Sequence, residues 1–186
     1  MSFPIRLRDT AATARALASF IPGVVRSGIV GLHGGPAAVA STPSVLARYW
    51  FTTAREVEQG HQTTPHRVAL IDDDGELTYR QLRENSQSVA RHLVSLGLDE
   101  IRLGVMARNG RGILYPMAAK GYAGAAIFLL NVGSSPEQLT GCIEENDINV
   151  LVIDDEFLDR LNPEVVERTG VHVIVGHQSR EHDDLH

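Results

Sequence analysis

The sequence predicts an α/β fold, a doubly wound and mostly parallel sheet that follows a helical N-terminal segment. From residue 67 onward, short β-branched apolar runs alternate with amphipathic helical patterns, which predicts five strands and four helices. The runs are apolar throughout, as is typical of strands that are covered on both faces. Because crossovers between parallel strands are right-handed, an open sheet with helices on both sides follows.

The first sixty residues predict a helical preface. Residues 8–20 are rich in alanine and favour a helix, which Pro22–Gly23 ends. After a connector rich in Gly, Pro and Ser, a second helix is expected to start with Ser44 as N-cap and to stop at Gly60. This helix carries an aromatic cluster that we expect to pack against the protein rather than stack on a ligand, namely Tyr49, Trp50 and Phe51.

The α/β pattern begins with a strand at 67–73 and a long helix up to Gly97. Thr78 and Gln81 form a capping box at the start of this helix, and Gly97 stops it. One face of the helix collects residues at spacings of three and four. These residues are Tyr79, Leu82, Ser86, Val89, Leu93 and Leu96.

The remaining elements follow the same pattern. Ser135 and Asn162 are predicted N-caps, each followed by a proline in the first helical turn. We expect a strand at 102–107, a helix at 111–124, a strand at 126–131, a helix from 136, a strand at 149–154, a helix at 163–169 and a strand at 171–175. The predicted organisation is a preface over 1–60, an α/β subdomain over 61–176 and a flexible tail over 177–186.

The glycine-rich stretch "ARNGRG", residues 107–112, joins a strand to a helix. Free N–H groups at a helix N-terminus can bind a phosphate, and Arg108 and Arg111 would add positive charge. However, the dinucleotide-binding fingerprint needs a third glycine where Tyr115 stands, and the next strand ends in Asn131 rather than in an acid.

A Walker loop is not present at this turn either, because the sole lysine, Lys120, lies in the middle of the helix. We therefore interpret Gly110 and Gly112 as residues of a tight turn that needs the conformational freedom of glycine.

Three segments together resemble the adenylate-forming acyl-CoA synthetases. "RVALIDDDGELTYRQLRENSQSVARHLVSLGL" resembles the opening of that family's N-terminal domain, "GVMARNGRGILYPMAAKGYAGAAIFLLN" its next block, and "SPEQLTGCIEENDINVLVID" the helix and strand after that. The phrases "ARNGRG" and "LLN" resemble the long-chain fatty acid ligases of actinobacteria. The resemblance covers about residues 44–176.

The resemblance implies that a carboxylic acid is activated with ATP and Mg²⁺ to an acyl-adenylate and then transferred to CoA. The family's chemistry needs a Ser/Thr/Gly-rich loop that ends in lysine, an aromatic-Gly-x-Thr-Glu segment, a ribose-binding Asp and a C-terminal catalytic Lys. These motifs are missing from the 186 residues, and Lys120 matches a lysine of a family helix instead.

We therefore expect the N-terminal portion of a fatty acid–CoA ligase, inactive alone. We assign it no catalytic, cofactor-binding or metal-binding residue, and Asn109 and Gly110 match scaffold positions of the family. The length of the acyl chain stays open.

Two alternatives remain. The chain could be a non-catalytic module derived from the family that associates with itself through an uncovered part of the sheet. It could also be a nucleotide-dependent oxidoreductase of the Rossmann type, against which the side chain of Tyr115 and the missing ribose-binding acid argue.

Charge and hydropathy restrict the partners. The net charge is −6, with +5 in residues 1–55 and −11 in residues 56–186. An acidic body disfavours nucleic acid binding. Without a long apolar run or a signal sequence, we predict a cytoplasmic location. Residues 1–35 could lie on an anionic membrane, or could pack on the domain, through an apolar stripe beside Arg8 and Arg15. The stripe comprises Leu7, Ala11, Ala14, Leu17, Ala18 and Ile21.

The remaining candidates are a lone thiol and the histidine-rich tail. Cys142 excludes a disulfide within the chain, and we expect it to be buried and inert rather than reactive. A metal site in the tail is conceivable, but a frayed and solvated end is the better interpretation. The residues of that site would be His172, His177, His182, Asp183, Asp184 and His186.

Overall fold

The structure is a computed structural model that describes residues 35, 40, 44, 45, 47–49 and 52–176. Twelve elements follow one another within 52–176. They are α1 (Thr53–Thr63), β1 (Val68–Asp72), β2 (Gly75–Thr78), α2 (Tyr79–Ser95), β3 (Arg102–Met106), α3 (Arg111–Ala123), β4 (Ala126–Leu129), α4 (Pro136–Glu145), β5 (Val150–Ile153), a 3-10 helix (Asp155–Arg160), α5 (Pro163–Thr169) and β6 (His172–Val175).

A four-stranded parallel sheet has the strand order β4-β3-β5-β6. Different helices cover its two faces. Successive residues of β5 point to opposite faces and therefore pack against different helices. Val150 and Val152 pack with α2 and α3, whereas Leu151 and Ile153 pack with α4, the 3-10 helix and α5. The predicted doubly wound α/β fold is confirmed.

The first predicted strand lies outside this sheet. β1 pairs antiparallel with β2, a strand that we did not predict, in a separate two-stranded hairpin. Gly75, with φ +99°, sits at the tip of the hairpin, where a positive φ is needed. The stretch "DDDGE" was therefore a turn signal, and the expectation of a fifth strand in the parallel sheet was wrong.

Three of the helix starts that we predicted from capping residues are confirmed, those at Thr78, Ser135 and Asn162. The side chains of Thr78 and Ser135 each accept a hydrogen bond from the N–H three residues later, in reciprocal capping boxes with Gln81 and Gln138. Asn162 caps α5 and Gly170 ends it in the left-handed conformation. These signals lie within four residues of each helix end, so local sequence was sufficient to find them.

The predicted helix over 44–60 differs at three points. Ser44 is itself helical rather than an N-cap, and Thr52 interrupts the helix with extended backbone angles. The second part, α1, continues past Gly60 to Thr63. Gly60 serves packing rather than termination, because a Cβ atom there would lie 2.2 Å from the Tyr79 ring. The predicted boundary between residues 60 and 61 consequently lies within α1.

A buried carboxylate links the three helices α1, α2 and α3. Glu58 is 5% exposed and accepts hydrogen bonds from Arg83 (2.8 Å), Gln87 (3.1 Å) and the Tyr122 hydroxyl (3.0 Å). Burial, together with the neighbouring negative charge of Glu58, raises the pKa of Tyr122, so its hydroxyl stays a donor. The ring of Tyr49 meets that of Tyr122 edge to face at 5.3 Å.

In the part of the chain that the structure describes, none of the helices combines the length and the apolar character needed to cross a bilayer.

Candidate functional site

The carboxyl ends of all four parallel strands meet at one edge of the sheet. The connection from β3 leads to β4 on one side, whereas the connection from β5 leads to β6 on the other. In open α/β sheets, ligands bind in the crevice at such a switch point. The turn with Arg108 follows β3 and Asp154 follows β5, so these residues border the crevice.

The ARNGRG turn needs glycine for its conformation. Gly110 has φ +145° and ψ −153°, which side chains rarely allow, and α3 starts at the next residue. A Cβ atom at Gly110 would lie 3.2 Å from a carboxylate oxygen of Asp72. The prediction of a tight turn that depends on glycine is confirmed at this residue.

The carboxylate of Asp72 occupies the N-terminus of α3. Its Oδ2 accepts hydrogen bonds from the Arg111 backbone N–H (3.0 Å) and Nε (2.9 Å), and its Oδ1 accepts from Nη2 (2.5 Å). The side chains of Asp72 and Arg111 are only 11% and 22% exposed. The hydrogen bonds from Arg111 lower the pKa of Asp72 to about 2. An acidic side chain of the same chain thus lies where an anion would bind.

Arg108 also faces carboxylates. Its guanidinium donates two hydrogen bonds of 2.6 Å to Glu156, and its backbone N–H donates to Asp154 Oδ2 at 2.9 Å. The hydrogen bonds from Arg108 hold the pKa of Glu156 below its ordinary value. Both arginines that could have attracted a phosphate are therefore engaged with acids of the chain itself.

A shallow groove of about 430 Å³ lies beside the turn, between the carboxyl ends of β3 and β4. Asn131 shapes one wall, because its Oδ1 accepts a hydrogen bond from the Gly133 N–H at 2.9 Å. Arg160 stacks over Phe157 at 5.0 Å and donates to the carbonyl oxygens of Val132 and Ser134. The groove is lined by Ala107, Arg108, Asn109, Ile113, Leu130, Asn131 and Val132.

The other candidate side chains lie away from this edge or take part in packing. The hydroxyl of Tyr115 accepts a hydrogen bond from Asn85 at 2.9 Å, which joins α3 to α2. Lys120 is half-buried within α3. Tyr49 packs on Tyr122 as expected, whereas Trp50 and Phe51 lie outside the described residues.

Cys142 is half-buried on α4, which meets the expectation of a buried thiol only in part, and its inertness stays a prediction. α4 is amphipathic, and this residue lies beside Ile143, whose side chain points into the core.

The histidine-rich tail lies mostly outside the described residues. His172 is exposed on β6, and the other tail residues follow residue 176. In the described residues, no group of three or more His, Cys, Asp or Glu side chains could hold a metal ion. The preference for a frayed end stays a prediction.

Sequence reasoning missed the carboxylates that fix this edge, namely those of Asp72, Asp154 and Glu156. Asp72 lies 39 residues from Arg111, and Asp154 lies 46 residues from Arg108. The available signal was that both aspartates come at the end of an apolar run, since Asp72 is the last residue of β1 and Asp154 directly follows β5.

Comparison with protein families gives a match over most of the chain. The model of the family described as "AMP-binding enzyme" matches residues 57–185. The matched segment starts within α1 and includes the hairpin and all four parallel strands.

Curated relatives match about half of the chain. The 2-succinylbenzoate–CoA ligase of Bacillus mycoides is 33% identical over 95 residues, which are 50% of this chain and 20% of the ligase. The nonribosomal peptide synthetase ecdA of Aspergillus rugulosus is 32% identical over 107 residues, 57% of this chain and 2% of the synthetase. The chain thus spans about a fifth or less of the length of these relatives.

Solved structures share the fold. A benzoate CoA ligase from Burkholderia xenovorans LB400 superposes with a TM-score of 0.62 at 20% identity, covering 68% of this chain and 26% of that one. The O-succinylbenzoate coenzyme A synthetase from Bacillus subtilis, solved in complex with AMP, gives a TM-score of 0.55 at 24% identity, covering 64% and 30%.

Proposed function

The chain belongs to the family of AMP-binding enzymes, and from that premise we propose that it forms the N-terminal α/β part of an AMP-forming acid–CoA ligase. The family match over residues 57–185 carries the proposal. The 2-succinylbenzoate–CoA ligases, at 33% identity over half of the chain, support an acid and CoA as co-substrates. ATP and Mg²⁺ would be used by the complete enzyme, which would act in the cytoplasm.

The acid in this proposal is a fatty acid. The stretches "ARNGRG" and "LLN" support it by their resemblance to long-chain fatty acid ligases. The CoA ligases among the similar proteins are named for 2-succinylbenzoate and benzoate. An acid panel must therefore contain dodecanoic, hexadecanoic, benzoic and 2-succinylbenzoic acids.

The described residues do not fit ATP or its Mg²⁺. Arg108 and Arg111 bind carboxylates of the chain, and the first N–H of α3 donates to Asp72. The described residues also contain no cluster of acids or histidines suited to a metal. We derive no chemical step from these residues and propose that the 186-residue chain alone forms no acyl-adenylate.

Exchange of labelled pyrophosphate into ATP tests this proposal. The 186-residue chain should give no exchange above a blank without acid, with any member of the panel. Exchange that depends on an added acid would contradict the proposal that this part is inactive alone.

The reading frame past the codon for His186 tests the ligase assignment itself. We expect it to encode a Ser/Thr/Gly-rich loop that ends in lysine, and we expect the longer chain to exchange pyrophosphate with a fatty acid. A stop codon directly after His186 would sink the assignment and favour a non-catalytic module derived from the family. If the longer chain exchanges pyrophosphate with benzoic acid and with no fatty acid, the proposal of a fatty acid substrate is wrong.

A further inference from the structure

The hairpin β1–β2 contacts the rest of the protein mainly at its base and at its tip. It shares no strand pairing with the parallel sheet. At its base, Leu77 is 5% exposed and Ala69 packs beside the cluster formed by α1, α2 and α3. Between base and tip, Leu70 is half-buried, whereas Ile71 is 71% exposed and Glu76 is exposed. A two-stranded hairpin of this kind is only marginally stable by itself.

The tip is attached to the α/β body through one arginine. Arg111 binds Asp72 in a two-pronged ion pair, lies 3.5 Å from Asp74 and donates to the Gly75 carbonyl at 3.3 Å. Asp72 Oδ1 also accepts from the Asp74 N–H, so the same carboxylate shapes the hairpin tip. Such charge-assisted, partly buried hydrogen bonds are stronger than those between neutral groups.

The contact between Asp72 and Arg111 fixes the hairpin tip and the start of α3 together. The Asp72 carboxylate holds the hairpin tip, and it also accepts a hydrogen bond from the first N–H of α3, directly after Gly110 with its positive φ. Loss of the pair would free the hairpin tip and remove the acceptor that fixes the ARNGRG turn. We propose that the hairpin is a strap, closed at its tip by Asp72 and Arg111, which opens together with the ARNGRG turn while the parallel sheet stays folded.

The tip of the strap is attached at the start of α3, directly after the turn that follows β3, and so lies next to the edge where ligands of open α/β folds bind. Its opening would therefore change access to the crevice between the ends of β3 and β5 without unfolding either strand. This inference concerns local motion only, so it stands or falls separately from the ligase assignment.

Hydrogen exchange measured by mass spectrometry on the full 186-residue chain tests the strap. Asp72→Asn should raise the exchange of residues 68–78 and 108–114 by roughly tenfold to a hundredfold, as expected when a charge-assisted hydrogen bond is lost. In the wild-type chain, both segments should already exchange faster than residues 150–153 of β5, because they open without global unfolding. The matched control is Asp73→Asn, which neutralises an exposed neighbour in the same tip and should change exchange less than twofold.

Two results would overturn the strap. One is an equal opening free energy for the two segments and for β5 in the wild-type chain, which would mean that they open only by global unfolding, and the other is an unchanged hairpin in Asp72→Asn. If that variant does not fold, Arg111→Lys keeps the charge but loses the two-pronged geometry. It should show a smaller increase in the same two segments, and no increase there would count against the strap.

Discussion

Asp72 keeps its charge to unusually low pH because Arg111 donates hydrogen bonds to it. Its pKa falls from 3.8 to about 2. The unfolded chain therefore takes up this proton first as the pH falls, and the stabilisation is present above about pH 4 and lost towards pH 2. We expect Asp72→Asn to lower the free energy of unfolding by about 2 kcal/mol at pH 6. Urea unfolding between pH 6 and 2.5 should show this difference shrinking with acid. A difference that does not depend on pH would contradict the assignment.

The hydrogen bonds of Glu58 lead to a second prediction about a single residue. Glu58→Ala removes a buried acceptor and leaves Arg83 and the Tyr122 hydroxyl without it, which we expect to lower the free energy of unfolding by about 3 kcal/mol. Glu56→Ala, on the exposed face of the same helix, is the control and should change it by less than about 0.5 kcal/mol. Chemical denaturation measures both, and equal effects would mean that the network of Glu58 is unimportant.

At the scale of single residues, the sequence was informative only where the partners are close along the chain. Thr78 and Gln81 form their capping box three residues apart, as predicted. Arg111, the partner of Asp72, lies 39 residues away along the chain. Tyr122, which donates to Glu58, lies 64 residues away. No local pattern specifies such pairs, since they depend on how the helices pack.

Among the elements, α1 contacts α3 with almost no space between them. A Cβ atom at Gly121 would lie 2.7 Å from the Ala54 methyl group and 2.9 Å from Thr52 Oγ1. We expect Gly121→Ala to destabilise the protein by about 1–3 kcal/mol although alanine favours helices. Gly141→Ala on α4 meets nothing within 4 Å and should stabilise it by roughly 0.5–1 kcal/mol. Thermal unfolding of the pair should give shifts of opposite sign, and a stabilising Gly121→Ala would refute the close contact.

The same contrast explains which elements were predictable. α2 and α5 carry their own start and stop signals, and α4 carries its start signal, so these bounds could be read from the sequence. The ends of α1 depend on contacts with other helices. Gly60 looked like a stop signal, although its role is to leave room for the Tyr79 ring. β1 is as apolar as the strands of the sheet, and only the turn at Gly75 distinguishes it.

For the whole molecule, we predict self-association through the edges of the sheet. In the described residues, β4 and β6 pair on one side only, and Leu129 and Val175 on them are 53% and 44% exposed. Sedimentation velocity should show a weight-average mass that rises with concentration, and Leu129→Lys should reduce the rise. Val94→Lys, at an exposed site on α2, is the control. A monomer at every concentration would rule this out.

Membrane contact through residues 1–35 also stays a prediction, because the stripe that suggests it lies outside the described residues. Arg8 and Arg15, beside the stripe, should bind anionic headgroups. We expect flotation with anionic vesicles to fall when residues 1–35 are deleted and to weaken at high salt. Equal flotation of both chains would exclude this segment as the contact.

The strand order has a consequence for synthesis on the ribosome. β3 is a central strand, but its partner β5 lies much later in the chain, as the hydrogen bond from Arg102 to Asn149 across 47 residues illustrates. At about 5–20 residues per second, translation leaves one apolar edge of β3 waiting roughly 2–10 seconds for its neighbour. The nascent chain therefore passes through a window in which chaperone binding competes with misfolding.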